Sequence, residues 1–354
     1  MTVSYKKIIN IFSLSPERHQ KVKNQIAEEA KGDLDFYVLS VLSGVIITFG
    51  LIIDNTAMVI GGMLLAPLVW PMLALGLAIT RGSIRSLESS LFTIVKISVV
   101  IIITSFLIGW VSPFNEFGRE VLSRTQPTIV ELMVAFCAGF VAAFVIGHPG
   151  LGSFIAGVVI AAAIVPPLCV AGLSIAHQNL AQAGGAFLLF TSNLIAIILS
   201  STIYFLLAKF KPIFTKEGRK RRISNIIWLL VFLMVILIPL LVITKDIISQ
   251  NKQYYITQKT LLANLKEGKI AELELKEKDD VLFITATLRA ERNLTSWELD
   301  YLADHISQAL NKSVNLQITV IPTMQGGKII EAGPAMPPAD ADFNQNQIFP
   351  KTKQ

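Results

Sequence analysis

The sequence predicts an α-helical polytopic membrane protein with about seven spans, built as a 3+3 inverted repeat and followed by a small soluble α+β C-terminal domain. Three observations support this fold class. Hydrophobic residues make up 53% of the 354 residues, and charged residues only 16%. The apolar residues fall into seven stretches of about 18 or more, the length needed to cross about 30 Å of hydrocarbon. One short motif also occurs twice, 96 residues apart.

The repeated motif is a proline followed by a glycine, a leucine and an isoleucine. The offset aligns Pro71 with Pro167, Gly76 with Gly172, Leu77 with Leu173, Ile79 with Ile175 and Gly61 with Gly157. Each copy holds three predicted spans, and an odd number of spans reverses the direction of the chain. The two copies are therefore expected to be inverted relative to each other, an arrangement typical of transporters with a site near the bilayer midplane.

The predicted segments follow one another along the chain. Residues 1–33 are predicted as a cytoplasmic N-terminal helix, because Ser15-Pro16-Glu17 has the pattern of a helix start. Repeat 1 then occupies 34–111, repeat 2 occupies 127–208, a basic cytoplasmic loop occupies 209–224, and a seventh span occupies 225–244. The seven predicted spans are Phe36–Ile53, Ala57–Ile79, Ser90–Val111, Thr128–Gly147, Leu151–Ile175, Ala186–Ala208 and Asn225–Thr244.

The distribution of Lys and Arg predicts the orientation. With the N-terminus in the cytoplasm, the cytoplasmic segments hold fifteen basic residues and the short outer loops hold only Arg119 and Arg124. This bias follows the positive-inside rule. We therefore expect a multi-pass protein of the cell (plasma or inner) membrane, with a cytoplasmic N-terminus and an extracytoplasmic C-terminal domain.

Residues 245–322 are predicted to form that α+β domain. A polar helix over 245–266 is followed by strands at Leu273–Glu277 and Val281–Thr287. Thr295-Ser296-Trp297-Glu298 has the spacing of a capping box at the start of a second helix. A last strand alternates apolar residues from Val314 to Val320. The tail, 323–354, has the composition of a disordered segment.

Proline and glycine interrupt the second and fifth predicted spans. A proline removes one backbone donor and frees a carbonyl, which in hydrocarbon needs a partner or a polar cavity. One interpretation is that two discontinuous helices cross at a substrate-binding site, and the other is that two kinked helices simply pack tightly. The candidate residues are Gly61, Pro67 and Pro71 in the second span and Gly157, Pro166 and Pro167 in the fifth.

Polar residues inside the third and sixth spans are further candidates for substrate binding. Lys96 corresponds to Ser192 at the repeat offset, and Asn193 is the next residue. A lysine in the bilayer is costly and is by default a functional candidate. We expect either a facing pair, in which Lys96 and Asn193 receive an anion or polar solute, or a lysine that extends to the inner interface.

The turn after the first span holds Asp54, Asn55 and Thr56. An acid, an amide and a hydroxyl in sequence suit either cation coordination or capping of the next helix, and capping is favoured. A stripe of small residues at spacing four, from Ala135 to Gly147, indicates close helix packing at a repeat interface or a contact between subunits.

Other classes of function lack a signal in the sequence. There is no HExxH motif, P-loop, nucleophile elbow or Cys/His metal spacing, so no enzyme, metal site or cofactor is expected. The net charge of +6 is not interpreted as nucleic-acid binding, because the basic residues flank the spans. The expected partners are the lipid bilayer, a small solute or ion, and in one interpretation further copies of the chain.

Two segments carry a resemblance to a known family. They are Ile60-Gly61-Gly62-Met63-Leu64-Leu65-Ala66-Pro67-Leu68 and Val165-Pro166-Pro167-Leu168, with Gly172-Leu173. They resemble the prokaryotic family of uncharacterised hydrophobic integral membrane proteins called Domain of Unknown Function 389, over roughly residues 35–210. The resemblance implies an integral membrane protein and no particular activity. A transporter or channel-like protein is the favoured hypothesis, and a membrane-anchored scaffold or sensor, whose outer domain binds a partner or a neighbouring subunit, is the alternative.

Overall fold

The computed structural model describes residues 12–113, 117–148, 153–213, 216–264, 269–278, 281–290, 294–310 and 312–322. The predicted disordered tail, 323–354, lies outside these residues. The chain divides into two compact units, Met1–Ser249 and Gln250–Gln354.

The described elements of the first unit are helices, named here in chain order, and the last of them continues into the second unit. They are α1 (Pro16–Glu29), α2 (Leu34–Ile52), α3 (Thr56–Met63), α4 (Val69–Arg81), α5 (Ile84–Val111), α6 (Arg119–Leu122), α7 (Ile129–Gly147), α8 (Ser153–Ala176), α9 (Leu180–Leu207) and α10 (Lys216–Asn264). Among the described residues, five helices are long and apolar enough to cross a membrane: α2, α5, α7, α9 and the Gly218–Ala263 part of α10. The chain is thus an integral membrane protein by the length and composition of its helices.

The second predicted span, Ala57–Ile79, is interrupted in the structure. It consists of α3, with 8 residues, and α4, with 13 residues, joined by the non-helical segment 64–68. Pro67 lies in this segment, and Pro71 lies in the first turn of α4. The predicted discontinuity is therefore confirmed for this span.

The fifth predicted span is not interrupted, and the expectation of a second discontinuous helix is wrong. Helix α8 runs from Ser153 to Ala176 with Pro166 and Pro167 inside it. One carbonyl that lacks its usual N–H donor, that of Ala163, is bonded by a side chain of α9, as described below.

The helix that contains the predicted seventh span extends beyond that span at both ends. One helix of 49 residues, α10, contains three predicted segments in whole or in part. They are the last part of the basic loop 209–224, the span 225–244 and most of the polar helix 245–266. The predicted basic loop is therefore helical from Lys216 onward, and the boundary between loop and membrane span stays a prediction.

The ends of the helices form two separate sets of contacts. At one end, Arg18 of α1 donates a 2.9 Å hydrogen bond to the carbonyl of Gly147, and His19 Nε2 lies 2.8 Å from the carbonyl of Ala208. At the other end, the Asp54 carboxylate accepts a 2.7 Å hydrogen bond from the Glu120 backbone N–H. We call these the α1 end and the opposite end. Successive long helices therefore run in alternating directions, one toward the α1 end and the next toward the opposite end.

Small residues allow close contact between α7 and α9. Ala135 and Ala143 are fully buried. A Cβ atom at Gly139 would lie 2.7 Å from the carbonyl oxygen of Ile197. The predicted stripe of small residues thus serves close packing between two helices of the same predicted repeat.

The second unit contains a three-stranded sheet. Its elements are β1 (Lys269–Lys278), β2 (Val281–Ala290), α11 (Ser296–Leu310) and β3 (Ser313–Pro322), and β2 lies between an antiparallel β1 and a parallel β3. Alternate residues of β2 are buried, as on a sheet with one covered face. Leu302 and Ile306 of α11 and Leu261 at the end of α10 complete this core. The order helix, strand, strand, helix, strand agrees with the prediction.

Candidate functional site

The strongest candidate site is the beginning of α4. The first backbone N–H groups of a helix have no partner within the helix and are normally capped by a side chain. The N-cap residue here is Leu68, which forms no capping hydrogen bond. Trp70 follows in the first turn, and Pro71 has no N–H. The helix dipole places partial positive charge at this N-terminus.

Helix α4 is enclosed by the rest of the first unit. Every residue from Pro71 to Thr80 is buried, and so is Val69. Irregular backbone at membrane depth is tolerated where protein surrounds it or where it lines a polar cavity. Leu68 and Val69, at the uncapped N-terminus of α4, are buried within the protein.

The contacts between α4 and α9 establish which residues lie at the level of this N-terminus. Thr202 Oγ1 lies 3.4 Å from the carbonyl of Gly76, and Thr80 Oγ1 lies 3.4 Å from the carbonyl of Thr202. Both helices run toward the α1 end, because Arg81 accepts a 3.0 Å hydrogen bond from the Ile213 N–H just after α9. The two helices are therefore parallel neighbours.

The register of this pair brings Asn193 to the level of Leu68. A Cβ atom at Gly76 would be in contact with the side chain of Ser201. Every residue of an α-helix adds about 1.5 Å along its axis. Leu68 lies eight residues before Gly76, and Asn193 lies eight residues before Ser201. The two residues are therefore at about the same height along the two parallel helices.

Asn193 also supplies one of the two hydrogen-bond donors that the prolines remove from α8. In an ideal helix the N–H of residue 167 would donate to the carbonyl of residue 163, but Pro167 has no N–H. The Asn193 side chain donates a 2.8 Å hydrogen bond from Nδ2 to the carbonyl of Ala163. The amide thus replaces the donor that the proline removes.

The other end of the Asn193 amide is unsatisfied. Its Oδ1 atom is buried and has no hydrogen-bond partner among the described residues, and the residue as a whole is only 4% exposed. A buried acceptor without a donor costs about 1–3 kcal/mol. The neighbouring Ser192 is buried but donates to the carbonyl of Leu189 in its own helix at 2.9 Å. Asn193 is therefore the residue of this pair that has bonding capacity left for a ligand.

Lys96 does not take part in this site, so the expected facing pair is wrong. Its side chain is exposed and its Nζ atom lies 4.3 Å from the centre of the Phe92 ring on the same helix, α5. This is a cation–π contact on the outer surface of the helices. The surface position agrees with the alternative expectation, in which Lys96 extends along the protein toward the interface.

The remaining candidate residues in the two proline-containing spans differ in how far they are buried. Pro71, Pro166 and Pro167 are buried and Pro67 is half-buried. Gly61 is exposed, and no atom lies within 4 Å of the position of an added Cβ. Gly157 belongs to α8, but its surroundings lie outside what the structure describes.

The polar turn at the opposite end is occupied by protein contacts. Asn55 accepts a 3.1 Å hydrogen bond from the Met58 N–H and caps α3. Asp54 has a φ of 54° and accepts from Glu120, and Thr56 donates to the Glu120 carboxylate at 2.5 Å. Capping was the favoured expectation. Across the described residues, no group of three or more His, Cys, Asp or Glu side chains suits a metal ion.

Sequence reasoning missed the polar contacts that hold the ends and the interior together. Arg18 donates both to Gly147 and, at 2.7 Å, to the carbonyl of Ile146, so α1 is attached to the end of α7. Inside the unit, Thr48 and Ser105 share a 2.7 Å hydrogen bond. The signal for the second contact was present as isolated hydroxyls in apolar spans, whereas nothing in the sequence indicated the partners of Arg18.

The comparisons with known proteins cover this part of the chain. Residues 63–199 match the family described as "Domain of unknown function (DUF389)". An uncharacterized protein of Methanocaldococcus jannaschii is 30% identical over 192 residues, which is 54% of this chain and 60% of that protein. The residues that match the family include α4, the proline pair of α8 and Asn193. The resemblance predicted from the paired sequence segments is thus confirmed, and residues 63–199 of this chain are similar to the family of unknown function DUF389.

Proposed function

We propose that the protein is a transporter or channel-like protein for a small polar solute or ion. Its membrane part has seven spans in this proposal, with α3 and α4 together forming one and α8 forming another. Helix α8 has 24 residues, enough to cross about 30 Å of hydrocarbon.

The alternation of helix ends supports an inverted repeat. In the proposal α2 corresponds to α7, the α3–α4 pair to α8, and α5 to α9. Each member of a pair runs opposite to its counterpart, because three spans separate them. By the positive-inside rule, the α1 end is cytoplasmic and the protein lies in the cell membrane.

One observation carries the proposal: an uncapped half-helix N-terminus lies at the level of a buried, unpartnered amide oxygen. Half-helix N-termini near the midplane are a recurring way to bind polar groups of a transported solute. The backbone N–H groups of α4 are available to a hydrogen-bond acceptor, and Asn193 Oδ1 to a donor. A solute that carries both kinds of group fits this pair. Lys96, being on the surface, gives no reason to expect an anion.

The closed packing around α4 implies that a solute passes only when α4 moves. The non-helical segment 64–68 lets α4 change its angle to α3 without breaking further helical hydrogen bonds. Transport by small movements of one element against the rest is typical of proteins with interrupted spans.

The test is an osmotic shrinking assay on proteoliposomes that contain the full-length protein. Urea, glycerol and the chloride and phosphate salts of potassium serve as the probes. The proposal predicts that at least one probe enters faster than into protein-free liposomes. Asn193→Leu should abolish this flux, while Ser192→Ala should retain it. The transport proposal is wrong if no probe gains entry, and the site is wrong if Asn193→Leu conducts as well as the parent protein.

The scaffold or sensor hypothesis has one observation of its own. On α11, Trp297 is 71% exposed, its ring stacks on Tyr301 at 5.4 Å, and Tyr301 lies 4.0 Å from the ring of His305. Exposed aromatic side chains are typical of sites that bind a partner or a neighbouring copy. The sedimentation behaviour of the detergent-solubilised protein tests this: a smaller particle for Trp297→Ser than for the parent chain supports the alternative.

A further inference from the structure

A cavity of about 350 Å³ lies at the α1 end, between α1, α4 and the beginning of α5. Its lining has a one-sided charge. Lys23 comes from α1, Lys31 from the segment after it, Arg81 from the end of α4 and Arg85 from the first turn of α5. Among the described residues that line it, no acidic side chain is present.

Among the described residues, none of these four cations is found in an ion pair with an acidic side chain. The ion pairs Arg124–Glu120 and Lys276–Glu274 lie away from the cavity. Like charges gathered without a counter-ion repel one another and favour a bound anion. The cavity therefore has an electrostatic reason to bind a negatively charged group.

Hydroxyl groups and a helix terminus add directional donors. Ser83 caps α5, and its Oγ donates to Ser86 Oγ at 2.9 Å, so the N-terminus of α5 with its positive dipole lies at the cavity. Ser90 is only 6% exposed and lines the cavity as well. Its hydroxyl is a polar group that can donate a hydrogen bond.

We propose that this cavity binds a phosphate group, and that it does so independently of the transport site. Arginine guanidinium groups match phosphate oxygens with paired hydrogen bonds, and lysines add charge. The phosphate belongs either to the headgroup of an anionic phospholipid or to a free phosphate ion. Basic pockets between membrane helices suit such lipid headgroups. The small and apolar residues Ala74, Leu77 and Ala78 of α4 form part of the remaining wall.

A phosphate group bound in this cavity would connect α1, α4 and α5. A ligand held at once by α1, α4 and α5 binds only the folded arrangement, and so it stabilises that arrangement by mass action. The full-length protein in an uncharged maltoside detergent tests this through its apparent melting temperature. One arm adds phosphatidylglycerol and compares it with phosphatidylcholine. The other adds sodium phosphate and compares it with sodium chloride at equal ionic strength.

The two arms separate the sources. A rise of several degrees with phosphatidylglycerol alone assigns the site to the lipid headgroup, and a rise with phosphate assigns it to the free ion. The double variant Lys23→Gln/Arg85→Gln removes two cations from the cavity, and it should raise the concentration needed for half of the effect at least tenfold. Lys21→Gln is the matched control, because Lys21 is an exposed residue of the same helix that does not line the cavity.

The proposal is overturned if neither probe stabilises the protein beyond its uncharged or chloride control. It is also overturned if the double variant responds at the same concentration as Lys21→Gln. Native mass spectrometry of the double variant, which counts bound lipid or phosphate directly, gives the answer if that variant melts too early for comparison.

Discussion

Replacement of Asn193 by alanine is the most informative perturbation of this protein. Asn193 Nδ2 donates to the carbonyl of Ala163, which would otherwise lack a donor because Pro167 has none to offer. The variant leaves that part-buried carbonyl without a donor at the centre of α8. We therefore expect Asn193→Ala to lower the free energy of unfolding.

The magnitude follows from the two groups involved. An unsatisfied buried acceptor costs about 1–3 kcal/mol. The Asn193 Oδ1 atom is already without a partner, so its removal relieves part of that cost. Side-chain hydrogen bonds in membrane proteins contribute about 0.6 kcal/mol on average and at most about 1.7. We therefore expect a net loss of about 1 kcal/mol.

A double-mutant cycle with Pro167→Ala isolates the interaction. Alanine at position 167 restores a backbone N–H, which takes over the Ala163 carbonyl, so Asn193→Ala should cost little in that background. Unfolding in mixed micelles, followed by tryptophan fluorescence, supplies the four free energies. Coupling of about 1 kcal/mol is expected. Strict additivity would refute the idea that the amide replaces the missing donor.

Ser192→Ala is the matched control for this cycle. Ser192 is as buried as its neighbour, but its hydroxyl bonds only to the carbonyl of Leu189 in its own helix. When this hydroxyl is removed, the carbonyl of Leu189 still has the backbone N–H donor of its own helix. A loss of stability equal to that of Asn193→Ala would show that any polar deletion at this depth has the same effect.

Three further substitutions test other parts of the first unit. Gly147→Ala should destabilise the protein by about 1–3 kcal/mol, because the new Cβ would lie 2.8 Å from Cζ of the rigid Tyr204 ring. Gly61→Ala is its control: a Cβ there meets nothing within 4 Å, so this variant should unfold like the parent protein. Arg18→Gln removes the charged donor to the Gly147 carbonyl at 2.9 Å and should lower the apparent melting temperature in detergent, and an unchanged value would show that α1 is not held by this contact. Lys96→Gln should leave both the melting temperature and the proteoliposome flux unchanged, because Lys96 is exposed on the surface, and a loss of flux would return Lys96 to the transport path.

The sequence predicted two interrupted spans, and the structure confirms only the one formed by α3 and α4. Both carry prolines, and each proline removes a donor in the same way. In the α3–α4 span the prolines at 67 and 71 stand on either side of the first residues of α4, and the backbone is non-helical over 64–68. In α8 the carbonyl of Ala163 accepts a hydrogen bond from the side chain of Asn193 in α9, 30 residues further along the chain. Whether a proline breaks a helix thus depends on a neighbour that local sequence does not identify.

The pairing of Lys96 with Asn193 failed for a related reason. Matching positions in a repeat place two residues at similar depth, but they do not say which way each side chain points around its helix. The serines at positions 90, 98 and 105 of α5 lie on its buried face, and Lys96 does not share that face. Lys96 consequently lies on the outer surface, and Asn193 lies inside.

By itself the sequence determined the class of this protein, the positions of its apolar helices, the break in the second span and the order of elements in the C-terminal sheet. These features depend on short-range properties: the length of apolar runs, the missing N–H of proline and the alternation of buried residues. The tertiary structure decided which carbonyls and hydroxyls are paired, which polar groups stay free and where the basic residues gather. Those outcomes depend on contacts between residues far apart in the chain, and in an apolar interior a single hydrogen bond from a distant helix is enough to change them.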